Sequence, residues 1–124
     1  MKRFWIIFLA VLMLTACSSS VKPTNPQVKI ETSAGQEFKL VIDSNPTTGY
    51  HWEIVGDLDK SVVDFVSKDY KSTSDPTLVG GGGVDIWVFK AAGAGETSIT
   101  LGYYPPSNEK TQPAKTETFS VVVK

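Results

Sequence analysis

Short segments in which apolar and polar residues alternate with a period of two recur along the chain from residue 28 to residue 123. This period predicts β-strands that turn one face toward a protein core. Turn-forming residues separate the segments, and no window carries an amphipathic helical stripe of useful length. The apolar positions of the predicted strands are Val28 and Ile30; Phe38, Leu40 and Ile42; Tyr50, Trp52 and Ile54; Val63 and Phe65; Ile99, Leu101 and Tyr103; and Phe119, Val121 and Val123.

The segment from Val84 to Phe89 differs because nearly every position in it is apolar, which indicates a strand buried on both faces. The β-branched residues of segment 62–66 favour a strand over a turn of helix. The whole pattern predicts an all-β fold, an immunoglobulin-like β-sandwich of about seven to eight short antiparallel strands. Trp52, Trp87 and Phe89 can supply its core without the disulfide of antibody domains, since the chain has one cysteine.

Residues 1–16 form a predicted secretory signal peptide. Lys2 and Arg3 precede an uncharged apolar run over residues 4–13, which is shorter than the roughly 20 residues that span a bilayer. Residues 14–17, Leu-Thr-Ala-Cys, resemble a bacterial lipobox, in which small residues precede the cleavage site and a cysteine follows it. We therefore expect Cys17 to be the acylated first residue of a mature bacterial lipoprotein, with palmitate among its acyl chains.

These features divide the chain into a signal peptide (residues 1–16), a lipidated cysteine with a polar tether (17–26) and one immunoglobulin-like domain (27–124). The lipid on Cys17 would attach the protein to a membrane, and more than one acyl chain makes such attachment stable. Ser18 stands where Asp tends to retain Gram-negative lipoproteins at the inner membrane. We expect a location in the cell envelope, with the outer membrane favoured in a Gram-negative cell. The sequence does not distinguish the periplasmic from the surface face.

Charge and length exclude some classes of partner. Without residues 1–16 the chain has 108 residues with ten basic and thirteen acidic side chains, a net side-chain charge of −3. It contains no basic run, which argues against nucleic acid as a partner. A chain of this length suits one domain, and we expect a monomer.

The sequence carries no recognisable catalytic or metal-binding constellation. His51 is the only histidine, and it alternates with Tyr50 and Trp52, so we expect it at the surface. One histidine and one acylated cysteine cannot form a His/Cys metal cluster. Asp57 and Asp59 lack the Gly and distal Glu of an EF-hand loop. We predict no cofactor, no metal and no enzymatic activity.

Three connections between predicted strands are candidate binding segments. They consist of Asn45, Pro46, Thr47, Thr48, Gly49 and Tyr50 (the first loop); Gly80, Gly81, Gly82 and Gly83 (the glycine loop); and Tyr103, Tyr104, Pro105, Pro106, Ser107 and Asn108 (the third loop). The first loop combines an Asn that can bond its own backbone, a Pro that fixes φ and a Gly that permits positive φ. The glycine loop lacks the Lys and the helix of a phosphate-binding loop. It is either a flexible connection or a backbone ribbon that can lie against a partner.

These segments resemble chagasin-like inhibitors of papain-family cysteine proteases, which are immunoglobulin-like domains of about this length. The first loop of that family is Asn-Pro-Thr-Thr-Gly-Tyr or Phe, and residues 45–50 match it at every position. The second is Gly-x-Gly-Gly before a strand, which residues 80–83 match. The third follows a Tyr-x-Arg-Pro-Trp pattern. Tyr103 and Pro106 match it, whereas Pro105 replaces the Arg and Ser107 replaces the Trp.

The resemblance implies that the three loops enter the active-site cleft of a papain-family cysteine protease as a wedge. Thr47 and Thr48 would lie beside the catalytic cysteine, the glycine loop along the substrate groove and the third loop on the far side. Tyr104 would substitute as an aromatic contact. A second hypothesis is an envelope lipoprotein that binds or scaffolds through the same fold without inhibiting a protease. The altered third loop keeps that alternative open.

Overall fold

Seven strands and one short 3₁₀ turn make up the chain in a computed structural model, which describes residues 22–73, 81–107 and 111–124. The signal peptide, residues 17–21 of the predicted tether (including Cys17), Gly80 and Asn108 lie outside the described residues. The strands are β1 (Ile30–Thr32), β2 (Glu37–Ser44), β3 (His51–Ile54), β4 (Val63–Ser72), β5 (Gly83–Ala91), β6 (Gly95–Tyr104) and β7 (Lys115–Val123). Within the described ranges, no helix is long and apolar enough to cross a membrane.

The strands form two sheets, one of four strands in the order β1-β7-β6-β3 and one of three in the order β2-β5-β4. The predicted immunoglobulin-like β-sandwich is therefore confirmed. The strands are antiparallel except that β1 runs parallel to β7, with Ile30 opposite Val121. The prediction of antiparallel strands was wrong for this pair. Because 82 residues (33–114) separate β1 from β7, no tight turn between them imposes an antiparallel pairing.

The core lies between the two sheets and contains the three aromatic residues that the sequence predicted there. Trp52 and Phe89 are almost fully buried, and Trp87 is 5% exposed. The central strand β5 hydrogen-bonds to β2 on one side and to β4 on the other. Every one of its residues except Lys90 is buried or half-buried, which confirms the prediction for this segment.

Strand β4 is longer than its apolar pattern indicated. It continues past Val63 and Phe65 to Ser72 and contains a β-bulge between Phe65 and Ser67. The second half is polar, and its backbone pairs with β5 as far as Gly83. Apolar alternation cannot reveal such a strand, because backbone pairing with a neighbour and not core burial holds it in place.

Polar contacts join the two sheets at the end where β2 finishes and β3 begins. The indole N–H of Trp52 in β3 donates to the carbonyl oxygen of Asp43 in β2, at 2.8 Å. The Nζ of Lys68 in β4 donates to the Trp52 carbonyl oxygen at 3.1 Å. The same Nζ lies 3.8 Å from the carboxylate of Asp85, whose side chain is 7% exposed. Strand β3 is thus attached to the opposite sheet through both the side chain and the backbone of one residue.

We expect Lys68→Met to lower the free energy of unfolding by about 1–2 kcal/mol, because it leaves the buried Asp85 without its cation and removes a donor to Trp52. The partial exposure of Lys68 keeps the loss below that of a fully buried pair. Urea denaturation measures the change. Lys71→Met is the matched control, since Lys71 lies on the same strand and is exposed. Equal losses for the two variants would show that the inter-sheet contact does not stabilise the fold.

Candidate functional site

Strand register brings the three predicted loops to one end of the sandwich. Ser44, the last residue of β2, is opposite Gly83, the first residue of β5. His51, the first residue of β3, is opposite Tyr104, the last residue of β6. Because the first loop connects β2 to β3, it lies between the glycine loop on one side and the third loop on the other.

The loops also contact one another directly. A Cβ atom placed on Gly49 of the first loop would lie 2.9 Å from the Cβ of Pro106 in the third loop. A Cβ on Gly82 would lie 3.4 Å from the Ser44 carbonyl oxygen and 3.8 Å from the Cβ of Asn45. The first and third loops therefore pack tightly, and the glycine loop lies against the base of the first.

The first loop is a 3₁₀ turn over Pro46–Thr48 that is held by its own polar groups. The side-chain oxygen of Asn45 caps the turn by accepting from the Thr47 N–H at 3.2 Å. Pro46 occupies the first helical position, where its missing N–H and fixed φ cost nothing. Gly49 ends the turn in the left-handed conformation, at φ 81°. The sequence prediction of a compact turn is confirmed, and each of the residues that suggested it has the expected local role.

Both threonine hydroxyls of the first loop donate hydrogen bonds within the turn. Thr47 Oγ1 donates to Asn45 Oδ1 at 2.5 Å, and Thr48 Oγ1 donates to the Asn45 carbonyl oxygen at 2.8 Å. The Thr48 hydroxyl oxygen also accepts from the Tyr50 N–H at 3.3 Å. Pro46, Thr47, Thr48 and Gly49 are exposed. The tip is therefore an exposed, uncharged surface whose hydroxyls brace the turn and keep only acceptor capacity for a partner.

The last residue of the glycine loop is buried, unlike the two glycines directly before it. Gly83 is buried as the first residue of β5, and a Cβ there would lie 2.2 Å from the Lys71 carbonyl oxygen and 2.7 Å from the Tyr70 hydroxyl. A side chain at this position would collide with β4. Gly81 and Gly82 are half-buried and precede the strand. The need for glycine at position 83 is thus internal to the fold, whereas Gly81 and Gly82 belong to the loop-bearing end.

The third loop begins later than the sequence indicated, because Tyr103 and Tyr104 are the last two residues of β6. Their rings lie on opposite faces of the sheet. Tyr103 packs against Trp52 at 4.8 Å and against Tyr50 at 5.1 Å between ring centroids. Tyr104 stacks on His51 at 6.1 Å. Tyr103 therefore supports the first loop from within, whereas Tyr104 lies on the outer face beside His51.

A groove of about 540 Å³ opens between the loops at this end. Its lining residues are Asp43, Ser44, Asn45, Thr73, Gly82, Gly83, Tyr103 and Lys115. Lys115 was not among the predicted site residues. Its Nζ lies 5.1 Å from the ring centroid of Tyr103 and 5.5 Å from that of Trp52, so it supplies the positive charge of the groove. No sequence signal placed Lys115 here, because its position depends on the pairing of β7 with β6.

His51 was correctly predicted at the surface. Its Nε2 lies 3.2 Å from the Glu53 carboxylate, and its ring supports Tyr104. The alternation of apolar and polar residues in β3 predicted the face of the sheet on which His51 lies. It did not predict that Tyr104 of β6 would be its neighbour. In the part of the chain that the structure describes, no three His, Cys, Asp or Glu residues are grouped as metal ligands would be. The arrangement is suited to binding a partner through largely uncharged loops, of which the first is exposed at its tip and held by its own hydrogen bonds.

Comparison with known proteins gives a consistent result. The profile of the family described as chagasin family peptidase inhibitor I42 matches residues 31–123. The cysteine protease inhibitor EhICP2 from Entamoeba histolytica is similar in structure, with a TM-score of 0.60 and 26% identity over 77% of this chain and 88% of that one. The ICP of Leishmania mexicana has a TM-score of 0.53 and 26% identity over 86% of this chain and 99% of that one.

A third structure, that of PbICP-C in complex with falcipain-2, has a TM-score of 0.55 and 21% identity over 83% of this chain and 95% of that one. At this identity the likeness shows the fold. No curated protein matches the chain significantly.

We expect Gly49→Ala to lower the free energy of unfolding by about 2 kcal/mol, since it combines a left-handed backbone with a collision against Pro106. Gly35→Ala is the matched control. Gly35 has φ 88° but no atom within 4 Å of its added Cβ, so about 1 kcal/mol should be lost. Urea denaturation gives the two values, and amide chemical shifts should change at Ser107 only in the Gly49 variant. Equal losses with an unchanged Ser107 would contradict the packing of the first loop on the third.

Proposed function

This chain belongs to the chagasin family of peptidase inhibitors, and from that premise we propose that it blocks papain-family cysteine proteases with the loops at one end of its β-sandwich. The naming of the similar Entamoeba histolytica protein as a cysteine protease inhibitor supports this class of target. One monomer would bind one protease, and the inhibitor itself would perform no chemistry.

The observation that carries the proposal is the shared position of the three loops. Residues that are far apart in the chain form one continuous end surface, with Gly49 packed on Pro106 and Gly82 packed near Asn45. A cleft in a globular enzyme can accept loops that lie together at one end of a domain. The burial of about 1,600 Å² in total would be ordinary for a protease–inhibitor complex.

The internal bonding of the first loop explains how it could bind without being cleaved. Both threonine hydroxyls and the Asn45 side chain already fix the turn in the free protein. A loop that is rigid before binding loses little conformational entropy on binding, which favours affinity. A compact 3₁₀ turn also differs from the extended backbone that a protease groove accepts as substrate, since the carbonyl oxygens of Asn45 and Pro46 accept N–H groups within the turn.

The third loop would contribute differently from the family pattern, because Pro105 and Ser107 replace an Arg and a Trp. Tyr104, which directly precedes Pro105, is half-buried, and its ring stacks on that of His51. We assign Tyr104 as the aromatic contact of this loop with the protease. Aromatic residues that are held rigidly are common energetic centres of interfaces, and truncation of one costs about 2 kcal/mol or more.

Titration of papain with residues 18–124 tests the proposed function. Activity should fall stoichiometrically, and the inhibitor should remain intact on a gel. The double variant Thr47→Ala, Thr48→Ala should raise the inhibition constant by at least about tenfold, because it removes hydroxyls that brace the turn. The matched control is Thr100→Ala, Thr118→Ala, which removes a bonded threonine pair, with Oγ1 atoms 3.0 Å apart, between β6 and β7.

The control variant should inhibit papain as well as the parent chain does. If the parent chain leaves papain and a cathepsin L-type enzyme active at micromolar concentration, protease inhibition of this class is wrong. The binding or scaffolding alternative then takes its place. If both double variants weaken inhibition equally, the first loop is not the contact surface.

We also propose that the protein is a bacterial lipoprotein attached to the cell envelope through acyl chains on Cys17. The support is the order of charge, apolar run and lipobox in residues 1–17. Mass spectrometry of the mature protein expressed with its signal peptide should show Cys17 as the first residue with an added diacylglycerol. Cys17→Ser should abolish that mass increase and move the protein out of the detergent phase. An unmodified N-terminus on the parent chain would rule out the lipid attachment.

A further inference from the structure

The described chain enters the domain at the same end that carries the loops. Thr24 forms two backbone-directed hydrogen bonds with the free edge of β2. Its N–H donates to the Val41 carbonyl oxygen at 2.8 Å, and its Oγ1 accepts from the Val41 N–H at 2.9 Å. Pro23 and Thr24 line a cleft together with Asp43, Trp52 and Lys115, which all belong to the loop-bearing end. The last residues of the predicted tether are therefore docked on the domain.

Strand direction explains this position. β7 starts with Lys115 opposite Tyr103 at the loop-bearing end and finishes with Val123 opposite Gly95 at the far end. β1 runs parallel to β7 and hence also away from the loops. From Ile30 toward the N-terminus, the chain therefore runs toward the loops until Thr24 lies beside Val41. The C-terminal Lys124, by contrast, lies at the opposite end of the sandwich.

Two lengths follow from these positions. Val41 and Asn45 are four residues apart along an extended strand, which corresponds to about 13 Å. Cys17 and Pro23 are six residues apart, and even a fully extended chain of that length spans at most about 21 Å. A protease of about 200 residues has a diameter of roughly 40 Å by the usual scaling of globular domains. Even with this segment fully extended, the lipid attachment point therefore lies no more than about one protease diameter from the loops.

We propose that membrane attachment at Cys17 holds the protease-binding loops close to the bilayer and restricts the approach of a soluble protease to them. This inference rests on the proposed function. The tether between Cys17 and Pro23 thus sets how readily a protease is captured. A partner that approaches along the membrane surface fits this geometry better than one that arrives from bulk solution.

The single cysteine of the chain allows a direct test with residues 17–124. In the first protein, the Cys17 thiol is coupled to maleimide lipid in phosphatidylcholine vesicles. In the second, Cys17→Ser is combined with six serines and a cysteine added after Lys124, so that an attachment of similar length starts from the far end. In the third, twenty Gly and Ser residues are inserted between Ser20 and Val21 of the first, which adds about 25 Å of average reach. Residual maleimide is quenched before papain is added.

The association rate constant for papain is the measured quantity. On vesicles we expect the first protein to associate at least about tenfold more slowly than the second, and the third to come within about twofold of the second. In solution, without vesicles, all three should associate at the same rate. Equal rates for the first and second proteins on vesicles would overturn the inference and leave the proposed function standing. A lack of inhibition in solution would instead defeat the proposed function itself.

Discussion

The attachment of Trp52 to both sheets is the constraint on which the rest of the structure depends. Its ring fills the core at the loop-bearing end, its indole N–H is bonded to β2 and its carbonyl oxygen is bonded to Lys68 of β4. Trp52 lies only two residues after Tyr50, the end of the first loop. Since β3 is a four-residue edge strand, these contacts fix the exit of the first loop more firmly than its pairing with β6 alone could.

From this fixed point the end surface is assembled by packing between loops. Tyr103 lies between Trp52 and Tyr50, and Pro106 presses on Gly49. Each loop thereby limits the movement of the next. These contacts hold the surface in one arrangement in the free protein, so little conformational entropy is lost when a partner binds. In the third loop, Pro106 makes the contact with Gly49, although Pro105 and Ser107 stand where the resembled pattern has Arg and Trp.

Charge is distributed in a way that suits this role. The tip of the first loop carries no charged side chain, whereas Asp43, Lys68, Asp85 and Lys115 lie beneath or beside it. Removal of the partly exposed Lys68 would leave the nearly buried Asp85 without a cation, and that cost favours a single arrangement of the strands that hold the loops. The exposed tip remains free to enter an enzyme cleft without desolvating an ion.

The sequence by itself determined the strand pattern, the core aromatic residues and the capped turn of residues 45–50, because each depends on local periodicity or on a residue and its near neighbours. Only the tertiary structure decided the parallel pairing of β1, the length of β4 and the positions of Lys115 and Thr24 at the loop-bearing end. These features depend on contacts between residues that are far apart in the chain. Such contacts are set by register and packing, which a single sequence does not specify.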